Sequence, residues 1–144
     1  TEILMSNFYK RFALLGTLSA SCTLGFAATC SKTMNNNMVN DNLKIPANAV
    51  CVLNGSMING NIEALTGATL ILNAATVNRN IEAKKAKVVK LNKSTIQGNV
   101  ELQQTSSVIV IDKSVIDGDL SCSGNVASKG SMNVINGDIE GKCR

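Results

Sequence analysis

The sequence predicts an all-β protein, a single-stranded, right-handed parallel β-helix of about six coils of 19 to 20 residues. The first reason is a repeated polar tripeptide with an aliphatic residue on each side, as in Ile58–Ile62. Its copies occupy 40–42, 59–61, 78–80, 97–99, 117–119 and 136–138. The second reason is the alternation of apolar and polar residues between the copies, which is typical of strands. A fixed period of this length indicates one supersecondary unit stacked on copies of itself.

The first 27 residues are expected to lie outside this fold. Two basic residues at 10–11 precede an apolar stretch over 12–26, and small residues follow. That order is typical of a secretory signal peptide, here a helix removed after Ala27, with the residues before Met5 an upstream remnant. The β-helix domain is then predicted over 28–144. We expect a bacterial protein that is secreted, periplasmic or on the cell surface, with no membrane span after cleavage.

The composition of the predicted domain excludes several functions. All aromatic residues lie in the signal segment, and the chain has no His or Trp. The domain therefore has no ring to stack on a sugar or base, and no imidazole for metal binding or general base catalysis. We expect no cofactor, no metal, no nucleic-acid partner and no enzymatic activity.

Each coil is expected to contain short strands whose alternate residues point into a dry aliphatic interior. The residues expected inside, coil by coil, are Cys51, Leu53, Ile58, Ile62 and Ala64; Leu70, Leu72, Val77, Ile81 and Ala83; Val89, Leu91, Ile96, Val100 and Leu102; and Ile109, Ile111, Ile116, Leu120 and Cys122. β-Branched residues, which favour strands, are frequent in this set. Stacking at about 4.8 Å would pair each strand with those above and below it. One extra residue is expected within 103–107.

The polar tripeptides are expected at one corner of each coil. Their central glycines, where we expect a positive φ, are Gly60, Gly98, Gly118 and Gly137. Arg79 and Asp41 occupy the equivalent place in two other coils. The third residues should form a ladder of side-chain hydrogen bonds along the corner. The members of this ladder are Asn42, Asn61, Asn80, Asn99, Asp119 and Asp138.

Four cysteines lie beyond the signal segment, and an even number in an exported chain indicates disulfides. They are Cys30, Cys51, Cys122 and Cys143. The equal separations of 21 residues predict the pairs Cys30–Cys51 and Cys122–Cys143, one at each end of the coil stack. A lipid anchor on Cys22 or Cys30 is an alternative use of a cysteine.

The disulfide proposal requires the end coils to distort. A two-residue offset along a regular ladder would separate the Cα atoms by roughly 8 Å, which exceeds the limit of about 7 Å for a disulfide. We expect the distortion near Pro46 and in the segment 126–132.

The two ends of the predicted domain resemble those of a protein family. The tail from Cys122 to Cys143 is similar to the Cys-x-x-Asn … Asn-x-Val-x-Gly-x-x-Glu-Gly-x-Cys ending of small secreted bacterial β-helix proteins. The stretch 43–55 is similar to their opening coil. The resemblance implies export and paired end cysteines, and it implies no activity because that family is uncharacterised. A looser resemblance is to bactofilins, which are polymer-forming bacterial β-helices.

An Asp cluster near the C-terminal coils contains Asp112, Asp117, Asp119 and Asp138, and the last three form the first candidate ligand group. Asp119 and Asp138 are expected on successive coils, where close carboxylates can divide acid and base roles or bind calcium. The simpler interpretation is that Asp replaces Asn in the corner ladder.

Glu63, Glu82 and Glu101 form the second candidate group, since they are expected to stack in a column. Like charges at this spacing repel by about 0.9 kcal/mol per pair even in water. Neighbouring lysines at 84 and 85, a divalent cation or a cationic partner would offset the repulsion.

Two further surface features are candidates for partner binding. Val52, Ile71 and Val110 are apolar where the alternation predicts outward-facing residues, and Lys90 interrupts them. This stripe can dock a partner or promote self-association, or the segment 34–38 can cover it. The second feature is a cluster of lysines, which can attract an acidic polymer or simply form a solvated face. The cluster contains Lys84, Lys85, Lys87, Lys90 and Lys93.

The sequence thus predicts a secreted, non-enzymatic structural or interaction module of surface or adhesion type, with an unknown protein or surface polymer as partner. The alternative is a polysaccharide-binding or polysaccharide-active protein that uses the Asp cluster. Ice binding is a third hypothesis, because Thr76 and Thr95 align on successive coils. Met57 and Val115 break that column.

Overall fold

The structure is a computed structural model that describes residues 27–143. Over this range the chain is a parallel β-solenoid of about six turns and contains no helix, which confirms the predicted all-β stack. The predicted signal-peptide helix falls on 1–26, outside the described residues. In chain order the strands are β1 (Ala28–Thr29), β2 (Thr33–Asn35), β3 (Met38–Val39), β4 (Leu43–Ile45), β5 (Val50–Asn54), β6 (Met57–Ile58), β7 (Ile62–Ala64), β8 (Thr69–Asn73), β9 (Thr76–Val77), β10 (Ile81–Lys84), β11 (Val88–Asn92), β12 (Thr95–Ile96), β13 (Val100–Gln103), β14 (Val108–Asp112), β15 (Val115–Ile116), β16 (Leu120–Ser123), β17 (Ser128–Lys129), β18 (Val134–Ile135) and β19 (Ile139–Gly141).

The strands form three parallel sheets that run the length of the stack. Sheet A has the order β1-β4-β7-β10-β13-β16-β19, sheet B has the order β17-β14-β11-β8-β5-β2, and sheet C has the order β18-β15-β12-β9-β6-β3. Each coil therefore contributes one strand to each sheet, and each strand pairs with its equivalents one coil away.

The interior is one continuous aliphatic core. Every residue that was expected to face inward is buried, which confirms the alternation as the signal for orientation. Ala68, Ala75 and Ala86 are also buried, outside the set that alternation picked out.

The inserted residue lies where it was predicted. Lys84 pairs with Gln103, nineteen residues later, whereas Val88 pairs with Val108, twenty residues later. The extra residue is thus accommodated in the turn between β13 and β14. Both neighbouring strands keep their register, so the columns of side chains continue across the insertion.

The prediction of a positive φ at the corner glycines is wrong. Positive φ occurs instead at the two corners that flank sheet B. The column at the corner after sheet B contains Asn36, Gly55, Ala74, Lys93, Lys113 and Met132, and the column after sheet A includes Lys85, Gln104 and Gly124. The glycines meet a different constraint, the close approach of neighbouring coils. A Cβ atom at Gly98 would lie 2.7 Å from the carbonyl oxygen of Arg79, and one at Gly118 would lie 2.7 Å from that of Gly98. Arg79 in the same column shows that one coil does accept a side chain here.

A column of buried hydroxyl groups lines the corner between sheets B and C. Ser94 Oγ donates to the carbonyl of Asn92 at 2.9 Å and accepts from the amide of Ala75 at 3.2 Å. Ser114 Oγ accepts in the same way from the amide of Ser94 at 3.1 Å. These hydroxyls satisfy backbone groups that turn away from the sheet ladders, so their burial is compensated.

Both predicted disulfides are present, Cys30–Cys51 and Cys122–Cys143. Their Cα atoms are only 5.4 and 5.2 Å apart, shorter than the regular-ladder estimate. At the N-terminal end the distortion lies near Pro46, as predicted. Ala28 pairs with Leu43, fifteen residues later, whereas Thr33 pairs with Val52, nineteen residues later, so four extra residues lie in the corner between sheets A and B that contains Pro46. At the C-terminal end the offset falls after β19 and not in 126–132. At the C-terminal end, Gly141 turns the chain with a φ of 74°.

The alternative of a lipid anchor on Cys30 is inconsistent with this arrangement, because its sulfur is bonded to Cys51. Cys22, the other residue considered for an anchor, lies outside the described residues.

We expect Ala74→Gly to raise the free energy of unfolding by up to about 1 kcal/mol. Ala74 has a φ of 50°, a conformation that costs an L residue roughly 1 kcal/mol and that glycine adopts readily. The matched control is Ala75→Gly, at a neighbouring buried residue outside the positive-φ column, which should lose about 1 kcal/mol because glycine gains backbone freedom in the unfolded chain. Urea denaturation measures both, and a lower midpoint for Ala74→Gly would contradict the assignment of strain.

We expect reduction of the disulfides to lower the melting temperature and to expose both ends of the stack first. Each closed loop contributes about 3 kcal/mol in the chain-entropy model. Hydrogen exchange under reducing conditions should therefore accelerate in β1–β3 and β17–β19 before β8–β12. Mass spectrometry of the unreduced protein checks the pairing, and any linkage other than 30–51 and 122–143 would refute it.

Candidate functional site

The third residue of each polar tripeptide uses its side-chain oxygen to hold the next coil. Asn61 Oδ1 accepts from the amide of Asn80 at 3.0 Å, and Asn80 Oδ1 accepts from the amide of Asn99 at 2.8 Å. The pattern continues with Asn99 Oδ1, which accepts from the amide of Asp119 at 2.9 Å. Each oxygen thus satisfies a backbone donor at a corner that has no sheet partner. This ladder is a structural element of the coil stack.

The C-terminal aspartates take part in ladders of the same kind. Asp119 Oδ1 accepts from the amide of Asp138 at 2.8 Å, as the asparagines do in earlier coils. Asp117 Oδ1 accepts from Asn136 Nδ2 at 2.9 Å. Within residues 27–143, no group of three or more His, Cys, Asp or Glu side chains is arranged to hold a metal ion. The structure therefore places Asp119 and Asp138 on successive coils, and it gives the carboxylates of Asp117 and Asp119 hydrogen-bonding partners from the next coil.

A further amide ladder runs along the end of sheet B and was not identified from the sequence. Asn54 Nδ2 donates to Asn35 Oδ1 at 2.8 Å, and Asn73 Nδ2 donates to Asn54 Oδ1 at 2.9 Å. Asn92 extends it with a bond of 3.0 Å to Asn73. The spacing of nineteen residues between these asparagines was the available signal, and the more regular tripeptides obscured it.

The glutamate column lies on the outer face of sheet A. Glu82 pairs in register with Glu63 on one side and with Glu101 on the other, so three like charges lie on adjacent strands. Lys44 and Lys84 offset them. Lys44 Nζ lies 3.7 Å from Glu63 Oε2, and Lys84 Nζ lies 2.8 Å from Glu82 Oε1.

The third glutamate has a neutral partner, since Gln103 Nε2 donates to Glu101 Oε1. A shallow groove of about 260 Å³ begins beside this column, with Ala27, Lys44 and Glu82 among its lining residues. The surroundings of the column are thus polar, and the lysines of this chain already provide part of the compensation that a cation or cationic partner would supply.

The outer face of sheet B is more apolar than the sequence indicated. Val52, Ile71, Lys90 and Val110 follow one another in register along the stack, as expected for the stripe. A second column, missed from the sequence, runs parallel to it on the same face. Its members are Val50, Thr69, Val88 and Val108.

The residues of these two columns are neighbours on one outer face and are accessible to solvent. Most are half-buried, and Val50 is 51 % exposed. We name these two columns together the sheet B face.

The segment 34–38 does not cover the sheet B face. It forms the first coil, in which Met34 packs against the core and Met38 begins the outer column of sheet C with 64 % exposure. That column continues through Met57, Thr76 and Thr95 to Val115. The threonines are therefore aligned on two coils and bordered by apolar side chains, which is the interrupted pattern expected from the sequence.

Glu82 raises the pKa of Lys84 above its ordinary value of 10.5, first through the hydrogen bond between them and then through its charge. A raised pKa stabilises the folded state below the unfolded value, and this contribution is lost as the pH rises through the folded pKa. It is therefore present throughout the neutral range and disappears only in strongly alkaline solution.

We expect Glu82→Gln to lower the pKa of Lys84 toward its ordinary value. Glu101→Gln is the matched control and should have a smaller effect, because Glu101 acts on Lys84 only through its charge. An NMR titration of the lysine side chains measures both. An unchanged pKa of Lys84 in Glu82→Gln would contradict the pairing.

Two broader observations concern the class of protein. In the range 27–143 there is no helix long and apolar enough to cross a membrane. Comparison of the chain with protein families, with characterised proteins and with solved structures finds no match. The chain is accordingly described by its fold class, a parallel β-solenoid with a disulfide at each end.

Proposed function

We propose that this protein is an exported, non-enzymatic interaction module that binds a partner at the cell surface through the sheet B face. The observation that carries the proposal is that two adjacent outward columns on one sheet are mostly aliphatic. A contiguous apolar surface on a small protein is a common mark of an interaction site.

The remainder of the chain supports a structural platform. Asparagine, aspartate and serine side chains at the corners bond to neighbouring coils, and these bonds fix the stack. A disulfide closes each end, which protects the terminal coils from fraying and is compatible with an oxidising, extracytoplasmic compartment. A flat face on such a platform needs little ordering when it binds, which favours affinity.

The polysaccharide hypothesis receives less support from the aspartates that suggested it. Asp117 and Asp119 each accept a hydrogen bond from the following coil, in positions equivalent to those of asparagine in earlier coils. An asparagine in the same position would serve the stack equally well. Their geometry thus has a structural explanation that needs no substrate.

A pair of charge substitutions on one coil tests the proposal. Ile71 on sheet B and Thr76 on sheet C both face outward and are half-buried. We expect Ile71→Glu to reduce binding of labelled protein to washed cells of the producing species by about tenfold, because a carboxylate must be desolvated in the interface. Thr76→Glu adds the same charge to another face and should bind as the wild type does.

Equal binding of all three proteins, or no binding by the wild type, would refute the proposal. The same preparations also test the enzymatic alternative on a panel of acidic polysaccharides. Turnover by the wild type that is lost in Asp119→Ala would favour an enzyme over an interaction module.

A further inference from the structure

We infer that the sheet B face binds the surface of a membrane that contains anionic lipids. This inference rests on the proposed function, since it names the partner of the same face. It depends on a second observation that is independent of the apolar columns, namely the unequal distribution of charge around the coil.

Lysines gather around sheet B. The strands of this sheet and the residues directly before and after them contain a single acidic residue, Asp112, within the described chain. One oxygen of Asp112 accepts a hydrogen bond from the amide of Ser131 at 2.9 Å. The cationic residues in the same positions are Lys32, Lys87, Lys90, Lys93, Lys113 and Lys129.

The rest of the described chain has the opposite balance. It holds the glutamate column of sheet A and all the aspartates of the corner between sheets C and A. The acidic residues there are Asp41, Glu63, Glu82, Glu101, Asp117, Asp119, Asp138 and Glu140, and the cationic residues are Lys44, Arg79, Lys84, Lys85 and Lys142. One side of the solenoid is therefore cationic and the other is acidic.

An anionic bilayer surface complements both properties of the sheet B face. Valine and isoleucine side chains gain free energy at the boundary between headgroups and acyl chains, while lysines remain among the phosphates. Lys90 combines the two, because it is half-buried in register between Ile71 and Val110 and its long apolar stem ends in an ammonium group. The lysine that interrupts the stripe thus fits a headgroup layer.

Other partners fit less well. An acidic polysaccharide would use the lysines and leave two aliphatic columns without a role, and the described chain has no aromatic ring on which a sugar could stack. A second copy that packs face to face would bring the lysines of the two copies together, and like charges repel.

Sedimentation with vesicles tests the inference on the disulfide-bonded protein. We expect binding to vesicles of phosphatidylcholine mixed with phosphatidylglycerol, weaker binding to phosphatidylcholine alone, and a decrease with added salt. The double variant Lys90→Gln/Lys113→Gln should bind the mixed vesicles at least about tenfold more weakly, since each lysine near an anionic surface contributes about fivefold.

Two controls separate the sheet B face from net charge and from folding. Lys84→Gln/Lys85→Gln removes the same charge from the last residue of β10 and the residue after it, outside sheet B, and should retain wild-type binding. Ile71→Glu should lose binding, whereas Thr76→Glu should lose far less. Melting temperatures of all variants show that each is folded at the assay temperature.

The outcomes distinguish an error in the lipid partner from an error in the choice of the sheet B face as the binding surface. Equal binding to both kinds of vesicle, equal loss in the two lysine variants, or capture by a soluble acidic polysaccharide without vesicle binding would overturn the lipid assignment. Formation of a dimer that Ile71→Glu abolishes, without vesicle binding, would also overturn it. If the cells are bound through Ile71 and the vesicles are not, the proposed function stands and the lipid partner falls. If neither depends on Ile71, both fall.

Discussion

Backbone pairing between successive coils is the constraint on which the rest of this structure depends. The strands have only two to five residues, so none is stable without the equivalent strand above or below it. Pairing at about 4.8 Å places chemically equivalent residues in columns and fixes the length of each coil. The same constraint explains why polar corner residues are repeated: a corner amide that has no backbone carbonyl as partner in the neighbouring coil needs a side-chain acceptor at the same position in each coil.

Much of the fold could be predicted because coil-to-coil pairing makes similar residues recur every 19 to 20 positions in the sequence. Ile58, Val77 and Ile96 do lie in one row on adjacent strands of sheet C. The insertion between β13 and β14 could also be placed. Equivalent residues are 19 positions apart before it and 20 positions apart across it, and the residue types in each column stay the same. The disulfides followed from equal spacings at the two ends.

The features that escaped prediction depend on local three-dimensional geometry. A glycine permits both positive φ and close backbone approach, and the sequence alone does not distinguish the two uses. Gly118 serves the second, while Ala74 and Lys93 adopt positive φ although they are not glycine. Ser94 appears polar in an alternation pattern and is nevertheless buried, because its hydroxyl bonds to the backbone of its own corner. The apolar character of Val88 was visible, but its orientation required the exact start of a strand.

In a solenoid, the polar side chains that stabilise the stack and those that are free to bind a ligand lie in different columns. At the corners, side chains interact with the coils above and below, so their charges and amides have partners within the stack. On the faces, a side chain meets solvent or a ligand. When the same type of side chain occupies one outward position on successive coils, its charge or apolar surface is repeated along the stack. Negative charge is repeated in this way on sheet A, where Glu82 lies between Glu63 and Glu101. Lys90 among aliphatic residues combines positive charge and apolar surface on sheet B. Because the acidic and cationic sides point in different directions from one axis, the charges of residues 27–143 favour approach to a negative surface with sheet B foremost.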